Sequence, residues 1–289
     1  MNFIKALSLA LDLTSNGLSE HHFRSAIISY HIARELGLEQ TEIQTLVYAS
    51  FLHDIGAASN WNERESLMKF HQGPHVFNHA EKGYELMAKS RQFSMVADII
   101  RHHHDRFDGK NPSGKSGEEI PLLSRIIHLA DRVDVLHGNH ADLYKNTPRM
   151  IQRIKDAAGS YFDPILVTAF CKIAGREGFW LDISTSAYHQ KFLHELESFS
   201  KIRLDSEDML QMADVFAALV DATSRFTFNH SRNVAALAGF LAALRGYSRE
   251  EIKLHKLAGL LHDLGKLAVP NDILEKPERL NEQEFFIVK

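Results

Sequence analysis

The stretch IQTLVYASFLHDIG, residues 43–56, decides how this chain is read. Ile43, Leu46, Val47, Ala49, Ser50, Phe51 and Leu52 recur at helical spacing and run straight into His53-Asp54, with Gly56 expected to end the helix. Adjacent side chains on a helix point about 100° apart. His53 and Asp54 can therefore serve two neighbouring centres or flank one bridging position. The preceding run, Ile27, Ile28, His31, Ile32 and Leu36 before Gly37, has the same period. Alternating, strand-like patterns are almost absent. The fold class read from the sequence is all-α.

Working outward, the chain repeats itself. His21, Gly37 and the tetrapeptide starting at His53 recur as His230, Gly246 and the tetrapeptide starting at His262, each 209 residues on. Asp12-Leu-Thr-Ser and Asp221-Ala-Thr-Ser share that offset. One such dipeptide is a common accident, but four landmarks in one gapless register are not, so two copies of a helical module are expected. The first has room over 1–186. A linker helix is read over 187–205, where Phe192, Leu196 and Phe199 keep helical spacing, and the second copy over 206–289. Gly, Pro, Ser and Lys cluster between Asp108 and Glu119, where an Ω-loop or disorder is expected.

The 289 residues carry a net charge of −4, without the basic excess that marks a binder of duplex nucleic acid. One cysteine, Cys171, leaves no internal disulfide and fits a reducing, cytoplasmic setting. Met1 to Leu13 is an amphipathic run interrupted by Lys5 and Asp12, without a signal-peptide cleavage site. No run is apolar for long enough to span a membrane. The unusual count is 18 histidines, and their spacing decides what they mean.

His21, His53-Asp54, His79, His102-His103-His104 and Asp131 collect in the first copy. Imidazole with carboxylate suits Fe, Mn or Zn better than Mg, which prefers oxygen. The donors exceed what one ion of about four protein ligands takes, so two divalent metals are expected, with Asp54 as the bridge. Such a pair holds a hydroxide and clamps a phosphate diester for in-line attack.

The order His, His-Asp, His, His-His, Asp resembles the HD-GYP branch of the HD phosphohydrolases. His79-Ala-Glu-Lys-Gly83 is similar to that family's third-histidine motif. His103-His104-Asp105-Arg106-Phe107-Asp108-Gly109 is similar to its His-His-Glu-Arg-x-Asp-Gly segment, and Arg125 through Asp131 to the segment with its last ligand. Ala158 to Pro164 resembles its closing helix-turn signature, taken as structural. The resemblance covers about residues 12–180. It implies an HD-domain helical bundle, with His21, His53, Asp54, His79, His103, His104 and Asp131 as metal ligands. Asp54, His103 and Arg106 are the residues on which catalysis is expected to depend. Fe or Mn is the favoured metal, with Zn, Mg or Ni as alternatives.

The sequence departs from the family at three points. Lys110-Asn111-Pro112 stands in place of the Gly-Tyr-Pro turn, and Ala57 replaces a lysine expected to contact substrate phosphate. Gly17 stands where some members carry a glutamate, which favours two metals over three. On this reading, restoring the lysine by Ala57→Lys raises turnover. The second copy has His230, His262, Asp263 and the lysine, Lys266, but no third histidine, histidine pair or last aspartate before Lys289, and is expected to be incomplete.

Other histidines are read more plainly. His22, His31, His71 and His75 are taken as solvated or core residues, His128 as a candidate hydrogen-bond partner of a ligand, and His102 as a weaker choice than His103 and His104. Arg106 and Lys110 are candidate phosphate contacts, while Trp61 and Trp180 are read as packing residues. The resemblance implies hydrolysis of a 3′,5′-phosphodiester in cyclic di-GMP or 3′3′-cGAMP to a linear dinucleotide. A nucleotidase, or a non-catalytic regulatory module supporting the second copy, are the alternatives, and a homodimer stays open.

Overall fold

The computed structural model describes residues 21–57, 69, 76–91, 93–137, 143–184, 192, 205–221 and 229–289. The described elements are helices and short 3-10 turns, and no strand is found among these residues. In chain order the helices are α1 (His21–Leu36), α2 (Gln40–Leu52), α3 (Val76–Ala88), α4 (Ser94–Arg101), α5 (Leu122–His137), α6 (Leu143–Asp156), α7 (Pro164–Ala174) and α8 (Glu177–Ser184). These are followed by α9 (Ser206–Asp221), α10 (His230–Leu244), α11 (Arg249–Leu261), α12 (Asn271–Leu274) and α13 (Glu282–Val288). No helix among the described residues is long and apolar enough to cross a membrane.

The repeat read from the sequence reappears as repeated hydrogen bonds. Gly37 and Gly246 both adopt positive φ, 75° and 79°. In the first copy Leu38 N donates to Ala33 O and Gly37 N to Arg34 O; in the second, Tyr247 N donates to Ala242 O and Gly246 N to Ala243 O. These are paired Schellman stops, which glycine closes without a Cβ penalty. After each stop a capping box starts the next helix, Glu39 with Glu42 and Ser248 with Glu251. His53 and His262 both donate from Nδ1 to the carbonyl three residues back, Ser50 at 2.7 Å and Gly259 at 2.8 Å. Each imidazole therefore turns its Nε2 the same way.

In the first copy α1 lies between α2 and α5, and the core is filled by Ile28, Ile32, Leu46, Phe51, Ile127, Val133, Phe162 and Phe170. Helix α9 is apolar on two faces. Met212, Val215, Phe216, Leu219 and Val220 join the first copy's core, while Ala213 and Ala217 pack with Ala235 and Leu260 of the second. Arg91 beside α4 ion-pairs with Asp208 of α9. Leu267 is buried in the same core as the first copy.

Gly56 has another role than the one read from the sequence. It does not end α2 in a left-handed conformation; it sits in a 3-10 turn over Ile55–Ala57, and α2 stops at Leu52. A Cβ on Gly56 would lie 1.9 Å from His79 O and 2.6 Å from Gly83 N. The bare backbone is what lets the turn after Asp54 press against α3. Gly56→Ala is therefore expected to push α3 away and to lower metal content and thermal stability together. An unchanged metal content by elemental analysis would contradict this.

The segment from Asp108 to Glu119 is an ordered loop. Asn111 Nδ2 donates to Arg106 O and Lys115 O, both at 2.9 Å, and Ser113 Oγ donates to Asp105 at 2.6 Å. Most of the expected linker helix, and Trp61, His71 and His75, lie outside the described residues.

Candidate metal centre

Three imidazoles of the site, those of His21, His53 and His103, have a positioning partner supplied by the fold. His21 opens α1 and presents Nδ1 to Asp134 of α5 at 2.7 Å. Asp134 in turn accepts two bonds from Arg24, at 2.5 and 3.0 Å. His103 is turned like His53, with Nδ1 donating to Ile100 O at 2.6 Å. A ring nitrogen fixed by a carbonyl or carboxylate leaves the other nitrogen aimed inward as a ligand.

Two groups result, and they share one residue. His21, His53 and Asp54 bring ligand atoms within 4.8 Å of one another; so do Asp54, His79, His103 and His104. Asp54 Oδ2 faces His53 Nε2 at 3.3 Å and His21 Nε2 at 3.7 Å, while Oδ1 faces His79 Nε2 at 3.2 Å and His103 Nε2 at 3.6 Å. One carboxylate thus offers one oxygen to each group.

The donor set fits divalent metal. The Nε2 atoms of His21 and His53 are buried and make no hydrogen bond among the described residues. His79 Nε2 lies 3.2 Å from His103 Nε2 and 3.1 Å from His104 Nε2. Three imidazole nitrogens facing one another cannot all be donors or all acceptors without conflict, and a shared cation removes the conflict. Asp131 stands beside this set without being in either group. Its carboxylate is 3.6 Å from His21 Nε2 but takes a forked pair from Arg132, with Nη2 at 2.7 Å from Oδ2.

Electrostatics divide the imidazoles. Burial by itself pushes His53 down, but the Asp54 carboxylate beside it, helped by Asp131, more than compensates and raises its pKa to about 9. Burial lowers His103 to about 4 and His104 well below the ordinary imidazole value. His103 and His104 are therefore neutral imidazoles at pH 7, whereas metal-free His53 holds a proton. Its raised pKa stabilises the metal-free fold below pH 6.5, and that contribution is lost as the pH rises through about 9. Metal loading at pH 7.5 is expected to release about one proton from His53. Calorimetry in buffers of different ionisation enthalpy reads this directly; a heat independent of buffer would contradict it.

His102 points out of the cluster, with Nδ1 2.7 Å from Asp105. His128 pairs with Asp105 O at 3.1 Å, packs on Phe162, and is held neutral by burial with a pKa of about 3. His22 is buried with its ring 5.3 Å from that of His21 and 5.2 Å from that of His53. His31 contacts Asp182 at 2.9 Å, and Trp180 packs against His137 in the core.

A cleft of about 520 Å³ opens beside the second group, lined by His104, Arg106, Lys110, Asn111, His128 and Tyr161 among others. Arg106 lies over the Tyr161 ring at 3.9 Å and is held by Asp108, which also accepts from Lys110 at 3.0 Å. Tyr161 falls in the stretch read as purely structural. Its neighbours do cap α7 through Asp163, yet its ring is part of the cleft wall. Arg24, Asp134 and Tyr161 are the site residues that sequence reasoning missed. Arg24, three residues after His21, and Asp134, three after Asp131, each lie one helical turn from a proposed ligand, and that spacing is the only signal the sequence held.

In the second copy His230, His262 and Asp263 form a smaller, more exposed group, with His230 Nε2 3.3 Å from His262 Nε2. Lys266 Nζ donates to Asp263 Oδ2 at 2.6 Å.

The model of the HD domain matches twice, over residues 18–136 and 227–288. A 3′3′-cGAMP-specific phosphodiesterase 1 of Vibrio cholerae is 30% identical, over 98% of this chain and 67% of that protein. Phosphodiesterase 3 of the same specificity and organism is 26% identical, over 98% and 72%. The cyclic di-GMP phosphodiesterase response regulator RpfG of Xanthomonas campestris pv. campestris is 29% identical, over 58% and 47%. A crystal structure of a cyclic GMP-AMP-specific phosphodiesterase of V. cholerae superposes with a TM-score of 0.73 at 25% identity, over 98% of this chain and 74% of that one.

Proposed function

The chain belongs to the HD-domain family, and we propose that it is a phosphodiesterase that hydrolyses a 3′,5′-diester bond of a cyclic dinucleotide, cyclic di-GMP or 3′3′-cGAMP, to a linear dinucleotide. The observation that carries this is the sharing of Asp54 between two imidazole groups beside a cleft lined by His104 and Arg106. The relatives' names supply the substrate class.

Divalent metal binding goes with the family and with the donor set. Our assignment gives His21, His53 and Asp54 to one ion, and Asp54, His79, His103 and His104 to the other. Asp131 joins the first on exchanging part of its Arg132 pairing. Nitrogen-rich donors with a shared carboxylate favour Fe or Mn over Mg, with Zn and Ni as competitors. When bound, such a pair supplies Lewis acidity toward the phosphate and acidifies the attacking water. The protein's own share is positioning. Asp134 and the Ser50 and Ile100 carbonyls hold His21, His53 and His103 in register, and burial keeps His103 and His104 unprotonated. Arg106, stacked on Tyr161, offers a cation at the cleft for the substrate's second phosphate.

Two modules over 1–186 and 206–289, joined through 187–205, are supported by the repeated Schellman stops and by the two family matches.

The test offers metal-loaded protein cyclic di-GMP, 3′3′-cGAMP and mononucleotides side by side. Formation of a linear dinucleotide, lost in His103→Ala, is expected. Consumption of a mononucleotide alone would replace this reading with that of a nucleotidase.

A further inference from the structure

The two copies differ at two positions around the same aspartate. The 209-residue offset pairs Ala57 with Lys266 and His22 with Ser231. In the second copy Lys266 Nζ reaches Asp263 Oδ2 at 2.6 Å, while Ser231 turns away and donates through Oγ to Asp221 of α9 at 2.7 Å. In the first copy the lysine is a buried alanine, and His22 brings Nε2 to 3.8 Å from Asp54 Oδ2, the equivalent oxygen. Lysine with serine has been exchanged for alanine with histidine, and in each copy one nitrogen beyond the two shared histidines approaches that oxygen, Lys266 at 2.6 Å and His22 at 3.8 Å.

We propose that His22 stands in for the absent lysine as the group that donates to a phosphate oxygen of the substrate at the first copy's metal centre. This rests on the phosphodiesterase reading of that site. His22 is 4% exposed, with its ring against those of both His21 and His53, which also touch each other. Residues 21 and 22 are adjacent on α1 and point about 100° apart, so the two imidazoles reach the centre from different sides. His21 Nε2 is within 3.7 Å of both Asp54 and Asp131, whereas His22 lies outside the close set formed by His21, His53 and Asp54. That separates a ligand position from a position beside the ligands. His22 Nε2 donates a hydrogen bond in the cation and in the neutral tautomer that carries its proton on Nε2, and the role requires one of these two forms. The expectation for Ala57→Lys changes accordingly: with His22 in place, a lysine at this buried position competes for the same oxygen and brings no gain.

The test compares His22→Ser, His22→Gln and the double variant His22→Ser with Ala57→Lys, each loaded with Mn. Metal content, the affinity for inorganic phosphate by calorimetry, and kcat/KM on the cyclic dinucleotide are read for each. A hydrogen bond to a charged group corresponds to about 10- to 100-fold. His22→Ser is expected to keep its metal and to lose that factor in phosphate affinity and in kcat/KM. His22→Gln, which keeps a donor, stays close to wild type, and Ala57→Lys restores His22→Ser. Wild-type phosphate affinity in His22→Ser would overturn the proposal. So would loss of one metal equivalent, which would make His22 a ligand. Failure of the lysine to restore a double variant with wild-type melting would overturn it as well. If wild type cleaves no cyclic dinucleotide yet His22→Ser loses phosphate affinity, the phosphodiesterase reading falls and the role of His22 stands. If wild type cleaves and His22→Ser is unaffected in both measures, only this inference falls.

Discussion

Asp54→Ala is expected to empty both metal positions of the first copy and to lower diester turnover by at least about a thousandfold. Metal-ion catalysis contributes several kcal/mol of transition-state stabilisation, and each 1.36 kcal/mol is a factor of ten. The size follows from the geometry: Oδ2 lies within 3.7 Å of both His21 and His53, and Oδ1 within 3.6 Å of both His79 and His103. Removing one side chain therefore takes a ligand from each group. His79→Ala, by contrast, touches only the second group, and one equivalent should remain in the first copy. Elemental analysis with parallel rates checks this. If Asp54→Ala loses one equivalent and His79→Ala loses one as well, Asp54 is not the shared ligand.

Arg24→Ala is expected to destabilise the metal-free protein by about 3–5 kcal/mol, the usual cost of leaving one partner of a buried ion pair alone. Arg24 and Asp134 are both nearly inaccessible, and Asp134 accepts from Arg24 and from His21. Burial would push Asp134 up, but the Arg24 guanidinium outweighs it and holds the carboxyl below the usual carboxylate range. Without Arg24 that carboxylate keeps only His21 as a partner among these bonds and is no longer held in place behind it. Metal affinity should then fall by about 10- to 100-fold, the range typical of lost partners behind a metal ligand. Denaturant unfolding of metal-free protein gives the first number and metal competition the second. A change below about 1 kcal/mol would show that the pair is solvated, as surface pairs are.

The two effects differ in how far the sequence announced them. Asp54 was legible because chemistry and spacing coincide: it sits in a repeated tetrapeptide after an apolar helix, with three further histidine landmarks in order. The helices around it were legible for the same reason, since a period of 3.6 and glycine stops are local signals. Arg24 and Asp134 were not, because their pairing spans 110 residues and exists only once α1 lies against α5. The second copy carries Asn233 at the position equivalent to Arg24, so the repeat gave no hint either. Gly56 was noticed and misread. A glycine after a helix looks like a stop, whereas its function here is to admit His79 O where a Cβ would stand. Tyr161 was hidden inside a turn motif, and only the loop from Arg106 to Lys115 folding back over it makes it a wall of the cleft.

His22 shows the limit of reading residues by type. From sequence it is one of several histidines near a ligand, and a core or solvated role is the sensible default. Its meaning comes from comparing the two copies in three dimensions, where its nitrogen and that of Lys266 approach equivalent carboxylate oxygens.

If two metals act together through Asp54, turnover must follow the second equivalent of metal rather than the first. Metal-free protein carrying His262→Ala, which silences the second copy's group, is titrated with Mn while hydrolysis of the cyclic dinucleotide is followed. Little turnover is expected up to one equivalent, and a steep rise toward the second. Full turnover at one equivalent, with no further rise, would contradict it.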